Sequence, residues 1–354
     1  MATPVDPDNM SAYLALRYVP WADRAWLPGR ADLTPQLPNM QRATLTPVAS
    51  TDDIHAALLA QLSGCDPSTT GLLLSGGIDS AILAALLPPG VKTYTIRFVA
   101  QNAVDETQRA AAFAHVRQLP HKVVEVTWQD YQTHTVSLMQ CKRSPLHAIE
   151  VALHKAALQA RADGVQTLVV GNGADSSFGG MDKLLSRDWT FDAFVERYTF
   201  VEPARVLADP RSLHDIFAAH KRGEHADVVS FLHDVHGPGI VQAFENAITS
   251  ARCNILAPYE TLQLTVPLDL ARIRAGEPKY LLAALFQRFY SHMETPAKIA
   301  FARPMDQWLA DWQGPRRAEF HAHAREAVAA MSGDQRWLVY CLELFLDSIS
   351  ASSL

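Results

Sequence analysis

The sequence predicts an α/β protein, a parallel sheet with helices on both faces followed by a largely helical C-terminal part. Three observations lead there. Between residues 50 and 173, short apolar runs alternate with stretches of helical periodicity. The strand-length run at 70–76 is continuously apolar, as in a strand buried on both faces. Beyond residue 180 the apolar spacing is mostly helical.

Taken in order, residues 1–50 are rich in Pro, with a short helix expected within 12–20 and extended chain with turns after it. STDDIHAALLAQL (50–62) predicts a capped helix, with Ser50 or Thr51 at the N-cap and acidic residues in the first turn. TGLLLSG (70–76) predicts a strand, SAILAALLP (80–88) a helix ended by Pro88 and Pro89, and VKTYTIRFV (91–99) a second strand. A helix over 105–119, a strand over 121–128, a long helix over 145–164 and a fourth strand over 165–173 follow. Further on, TFDAFVERYTF, DVVSFLHDV, PKYLLAALFQRFY, MDQWLADW and RWLVYCLELFL predict helices layered over the sheet.

A net charge of −6 argues against a broad nucleic-acid surface, which needs a positive excess. Cys65, Cys141, Cys253 and Cys341 form no CxxC pair. Zinc, an iron–sulfur cluster and a redox dithiol are therefore not expected, and idle thiols in a reducing compartment are. Residues 1–9 lack the basic and apolar stretches of a signal peptide, and no apolar run reaches the ~18 residues of a membrane span. The expectation is a cytoplasmic protein with no nucleic-acid or membrane partner. A homo-oligomer is as compatible with the sequence as a monomer.

LLLSGGIDS (72–80) places a glycine-rich turn between the first strand and its helix, where open parallel sheets bind ligands. Gly76 and Gly77 let backbone N–H groups face an anion, and the helix N-terminus adds partial positive charge at the same place. Ser75 and Ser80 supply hydroxyls. Asp79 beside a phosphate makes sense if a cation such as Mg²⁺ lies between them. A lone Ser-Gly-Gly reads better as an ordinary strand–turn–helix corner; the buried strand before it and Asp79-Ser80 after it turn the reading to phosphate. Neither a GK[ST] nor a GxGxxG pattern is present.

The turn resembles the pyrophosphate loop of the N-type ATP pyrophosphatases, which cleave ATP between the α and β phosphates. VVGNGADSSFGGMDK (169–183) resembles the signature of the asparagine synthetases, Gly-Glu-Gly-Ala-Asp-Glu-Leu-Phe-Gly-Gly-Tyr, matching at Gly171, Gly173, Ala174, Asp175, Phe178, Gly179 and Gly180. Weaker likenesses continue in APYETLQLTVPLDLA (257–271), EPKYLLAALF (277–286), PAKIAFARPMDQWL (296–309) and ALRYVPWADRAWLPG (15–29). The resemblance implies an adenine nucleotide α-hydrolase-like fold, with residues 1–49 a linker-like extension and 50–354 the synthetase-like domain. It implies ATP and Mg²⁺ as cofactors. Ser75, Gly76, Gly77, Asp79 and Ser80 would hold the pyrophosphate, and Leu74, Ile96 and Gly171 would line the adenine and ribose pocket. Asp79 and Asp175 would hold Mg²⁺. Lys298 would be catalytic, stabilising charge as a carboxylate attacks the α-phosphate and again as the acyl-adenylate is opened.

The departures from the family pattern fall on the acceptor side. The family glutamate between the two glycines, associated with substrate binding and proton removal, is Asn172 here, and an amide cannot take that proton. Ser176, Ser177 and Met181 replace Glu, Leu and Tyr. Ala2 follows Met1, where glutamine-using relatives expose a cysteine nucleophile. Free ammonia, a preformed amine or a partner protein is then expected to supply the nitrogen. The expected function is an ATP-dependent, AMP-forming carbon–nitrogen ligase that adenylates a small-molecule carboxylate and transfers the acyl group to ammonia or an amine. The expected setting is specialised metabolism such as antibiotic biosynthesis. Intramolecular amide closure, as in β-lactam synthetases and lasso peptide cyclases, is one alternative, and a non-catalytic nucleotide-binding partner subunit another. A tRNA-modifying pyrophosphatase is disfavoured by the acidic charge and the missing CxxC. His147 and His154 could face a substrate, but core or exposed histidines are the better expectation. The acids of 105–107 match an acidic element after the family's second strand and equally read as plain helix capping.

Overall fold

The computed structural model describes residues 4–37, 45–297 and 301–351. Five short strands make the central sheet: β1 (Thr70–Leu73), β2 (Lys92–Phe98), β3 (His121–Val126), β4 (Thr167–Val169) and β5 (Asn254–Leu256). Their spatial order is β3-β2-β1-β4-β5 and every neighbouring pair is parallel. Gly71 of β1 stands opposite Lys92 of β2 on one side and Leu168 of β4 on the other. The chain thus winds outward from β1 to β3, then returns to lay β4 along the other edge of β1. A reversal of this kind opens a crevice at the carboxyl ends of the two strands that flank it, here β1 and β4.

The longer helices are α1 (Pro7–Leu16), α2 (Thr51–Leu62), α3 (Ile78–Leu86), α4 (Thr107–Val116), α5 (Trp128–Lys142), α6 (Glu150–Ala162), α7 (Gly237–Ser250), α8 (Tyr280–Phe289) and α9 (Gly333–Ala351). On one face of the sheet Leu72, Leu74 and Val169 pack with Ile82, Phe113, Leu282 and Phe286 of α3, α4 and α8. On the other, Leu168, Val170 and Tyr94 pack with Ala156, Ala157, Ala160 and Ile248 of α6 and α7. Leu168, Val169 and Val170 alternate between the faces, the two-residue period of a strand. The expected parallel sheet with helices on both faces is what forms.

Ser50 caps α2 as expected, its hydroxyl accepting the Asp53 N–H at 3.2 Å. The sequence reading has no counterpart of α5. Its buried positions, Tyr131, Thr135, Leu138, Met139 and Lys142, keep helical spacing but include Thr and Lys, which dilutes the apolar signal. Its start carries a capping box in which Asp130 accepts the Thr127 N–H at 2.7 Å. The helix expected over DVVSFLHDV runs on through Gly237-Pro238 into α7, by way of a π turn at Leu232–His236. Proline lacks an N–H and collides with the carbonyl four residues back; the wider turn makes room for it.

The N-terminal helix forms earlier than expected, at Pro7–Leu16. It meets α5 and α9 in a second core, where Tyr13, Leu14 and Trp26 pack with Leu138, Met139, Trp337 and Phe345. The Leu146 carbonyl accepts from the Tyr13 hydroxyl at 2.7 Å and from the Trp337 indole at 3.1 Å. Residues 46–48 pair in parallel with 262–264. The four cysteines are free thiols. Among the described residues no helix is long and apolar enough to cross a membrane.

Candidate active site

The crevice beside β1 and β4 opens into a cavity of about 1110 Å³. Its walls come from the ends of β1, β2 and β4, the loops after them, the π turn and segments between Gly276 and Arg303.

The first loop follows β1. α3 begins at Ile78, so Asp79 and Ser80 lie in its first turn and not before it. Gly77 is the N-cap and no side chain caps the helix, which leaves first-turn N–H groups for an anion. Ser80 Oγ accepts the Ser75 N–H at 3.0 Å and Ser75 Oγ accepts the Gly77 N–H at 3.2 Å, so both hydroxyls brace the turn. Ser75, Gly77, Asp79 and Ser80 line the cavity, as do Leu74, Ile96 and Gly171. Gly76 lies beside it, packed under Glu106 and Arg109.

The second loop follows β4. Gly173 has φ +89° and a Cβ there would fall 2.8 Å from Glu260 Cγ. At Gly180 a Cβ would overlap Asp175 Oδ1 and Lys279 Cε. These glycines admit two residues, Glu260 and Lys279, to which the sequence reading assigns no role.

Lys279 is 7% exposed, and its ammonium pairs with Asp79 and, at 2.7 Å, with Asp175. Burial works to depress its pKa; the two carboxylates outweigh that and hold it above the ordinary lysine value. Both expected metal carboxylates therefore converge on one point, occupied by a cation from the start of α8. The sequence signal for Lys279 is its place in EPKYLLAALF.

Glu260 accepts a hydrogen bond from Asn172 Nδ2, while Asn172 Oδ1 is buried with no hydrogen-bond partner among the described residues. Burial, and then Glu245, push the Glu260 carboxyl up to about 8. A carboxyl group thus stands beside the position where the family pattern has glutamate, supplied by the turn at Pro258–Thr261. The Tyr259 hydroxyl ties that turn to the first loop by donating to the Asp79 carbonyl at 3.0 Å.

Among the described residues no three His, Cys, Asp or Glu side chains gather to hold a metal. Two convergent carboxylates still fit Mg²⁺, which takes one or two from a protein and completes its shell with water and substrate phosphate. Lys298 lies outside the described residues; Ala297 and Phe301, nearest it on either side among those described, line the cavity. His154 sits in the core as expected, its Nδ1 2.9 Å from the Ala247 carbonyl. Asp105 accepts the Thr107 N–H at 2.8 Å, as a helix-start acid does. His147 and Glu106, by contrast, line the cavity.

Comparison with known proteins bears on the two loops. No curated protein sequence matches. Among solved structures, NMN synthetase from Francisella tularensis is similar at 14% identity and a TM-score of 0.28, over 72% of this chain and 99% of that one. NH3-dependent NAD synthetase from Campylobacter jejuni is similar at 13% identity and a TM-score of 0.24, over 71% and 97%. Superpositions that loose say nothing of the chemistry. The asparagine synthase family model matches residues 66–248, just over half of the chain. That segment starts just ahead of β1 and ends within α7, so it runs through both loops at the point where strand order reverses. The chain belongs to the asparagine synthase family.

Proposed function

We propose that the protein is an ATP-dependent, AMP-forming carbon–nitrogen ligase acting on a small-molecule carboxylate and ammonia or an amine. A carboxylate oxygen attacks the α-phosphorus of ATP, the bond from that phosphorus to the bridging oxygen breaks, and pyrophosphate leaves. The nitrogen then attacks the acyl carbon, the bond to AMP breaks, and an amide forms. The observation that supports this most is the convergence of Asp79, Asp175 and Lys279 at the mouth of an uncapped helix, where pyrophosphate charge would develop. Mg²⁺, held by Asp79 and Asp175 with phosphate oxygens, would supply further neutralisation of that charge. Lys298 is proposed as a second cation on the reacting phosphate.

Glu260 is proposed as the group that takes the proton from the nitrogen. A carboxyl titrating near 8 is matched to that transfer at neutral pH. The buried Asn172 Oδ1 offers an acceptor to an amine N–H. These two residues, with Ser176, Ser177 and Met181 in place of the family types, support an acceptor other than that of ordinary asparagine supply, and hence a role in specialised metabolism.

ATP–pyrophosphate exchange across a panel of carboxylic acids tests the reading. Exchange with one acid, lost on Asp79→Ala and Asp175→Ala, is expected. Mg²⁺-independent nucleotide binding with no exchange and no AMP from any acid and amine together would replace it with a nucleotide-binding subunit.

A further inference from the structure

We propose that Arg17 and His147 form a carboxylate-binding subsite in the wall of this cavity, so that the small molecule bound beside the nucleotide carries a carboxylate that is not the one activated. The substrate class this names rests on the ligase reading; the subsite does not.

Both residues line the cavity. Arg17 comes from outside the segment matched by the family model and closes α1 with φ 71°, a left-handed position that Gly or Asn takes more cheaply. Its guanidinium lies 5.0 Å from the Phe200 ring centre and 3.4 Å from His236 Nδ1. Among the described residues no carboxylate pairs with it. The neighbouring cations are already matched: Arg303 Nε donates to Asp334 at 3.0 Å, and Lys142 pairs with Glu150 at 2.5 Å. A half-buried guanidinium in contact with a ring and an imidazole lacks the counter-charge that buried cations require.

His147 is 8% exposed. Its Nδ1 accepts the Ile149 N–H at 3.3 Å, so a neutral ring carries its proton on Nε2, which has no hydrogen-bond partner among the described residues. Burial, then Arg17 and Arg303, hold the imidazole well below its usual value, which keeps it neutral at physiological pH. Its own N–H donates to Glu150 at 2.6 Å, and the preceding carbonyl is clamped by Tyr13 and Trp337. A fixed N–H donor and an uncompensated guanidinium in one wall suit a carboxylate, which accepts from both. That carboxylate belongs either to the acid that is activated or to the amine that accepts it.

The test measures binding by calorimetry without ATP, using pairs that differ by one carboxylate: succinate and butyrate, glutarate and pentanoate, aspartate and β-alanine. The expected result is a preference of about tenfold or more for the member with the extra carboxylate in at least one pair, the scale of one charge-assisted contact. Arg17→Ala abolishes the preference, Arg17→Lys keeps a few-fold part of it, and His147→Phe reduces it, with ATP affinity unchanged as the check on folding. Equal affinities within every pair, no binding by any diacid, or a preference that survives both Arg17→Ala and His147→Phe overturns the proposal. Exchange stimulated by the preferred diacid places the carboxylate on the acid; where aspartate is the preferred member, its incorporation through its amine without stimulating exchange places it on the nucleophile. A preference with neither exchange nor amide product keeps the subsite and removes the ligase reading.

Discussion

At Glu260, burial raises the folded-state pKa to about 8, from 4.5. The folded protein therefore binds this proton more tightly than the unfolded chain does. The stabilisation is complete below about pH 4.5 and is lost as pH rises through about 8, at no more than about 1.4 kcal/mol per pH unit. Glu260→Gln removes the term. Urea unfolding of both proteins between pH 5 and 9 should show the variant gaining on the wild type as pH rises, and a constant difference would be incompatible with a raised Glu260. The same variant should keep ATP–pyrophosphate exchange and lose amide formation, because the proton is taken only in the second step. Lys279 contributes through its ion pairs rather than through burial, although its pKa is raised as well. In Lys279→Met, Asp79 and Asp175 lose the ammonium between them, and Mg²⁺ can supply the missing charge. Melting with and without Mg²⁺ should show a larger upward shift in the variant than in the wild type. Asp79 and Asp175 were legible from their motifs; Glu260 and Lys279 lie in segments with a family likeness, but their roles come from partners distant in the chain.

The elements divide by how local their causes are. α2 and α3 and the strands β1 to β4 were legible because each carries its own period and its own stop signals. α5 was not, since its buried face includes Thr135 and Lys142, and Lys142 is tolerated there only by its pairing with Glu150 of α6. Glu150→Ala strands that ammonium in the core, with an expected loss of about 3–5 kcal/mol in chemical unfolding. The second loop shows a comparable dependence. Gly180 reads as one more glycine of a motif, but its absent side chain is what allows Asp175 and Lys279 to meet. Gly180→Ala should abolish exchange and also lower the melting temperature, because a Cβ there would overlap Asp175 Oδ1 and the buried Lys279 side chain and would fall 2.8 Å from the Asp175 Cα.

At the scale of the molecule, the two ends of the described chain brace the site. Tyr13 from α1 and Trp337 from α9 hold the Leu146 carbonyl, one residue before His147. Trp337 is fully buried, and Trp337→Ala should cost about 3–5 kcal/mol in urea or thermal unfolding, through the lost volume and the lost indole hydrogen bond. The sequence by itself determined the parallel α/β architecture, because strand and helix periods are local, and it determined both glycine-rich loops and the aspartates in them, because those motifs are contiguous. Tertiary structure alone decided that the loops share one crevice, since adjacency of β1 and β4 depends on strand order, which no local pattern encodes. It also decided that Lys279 joins Asp79 to Asp175, that Glu260 sits beside Asn172, and that Arg17 reaches the cavity from the first helix. Those are meetings of side chains far apart in the chain, set by how the faces of separate elements pack.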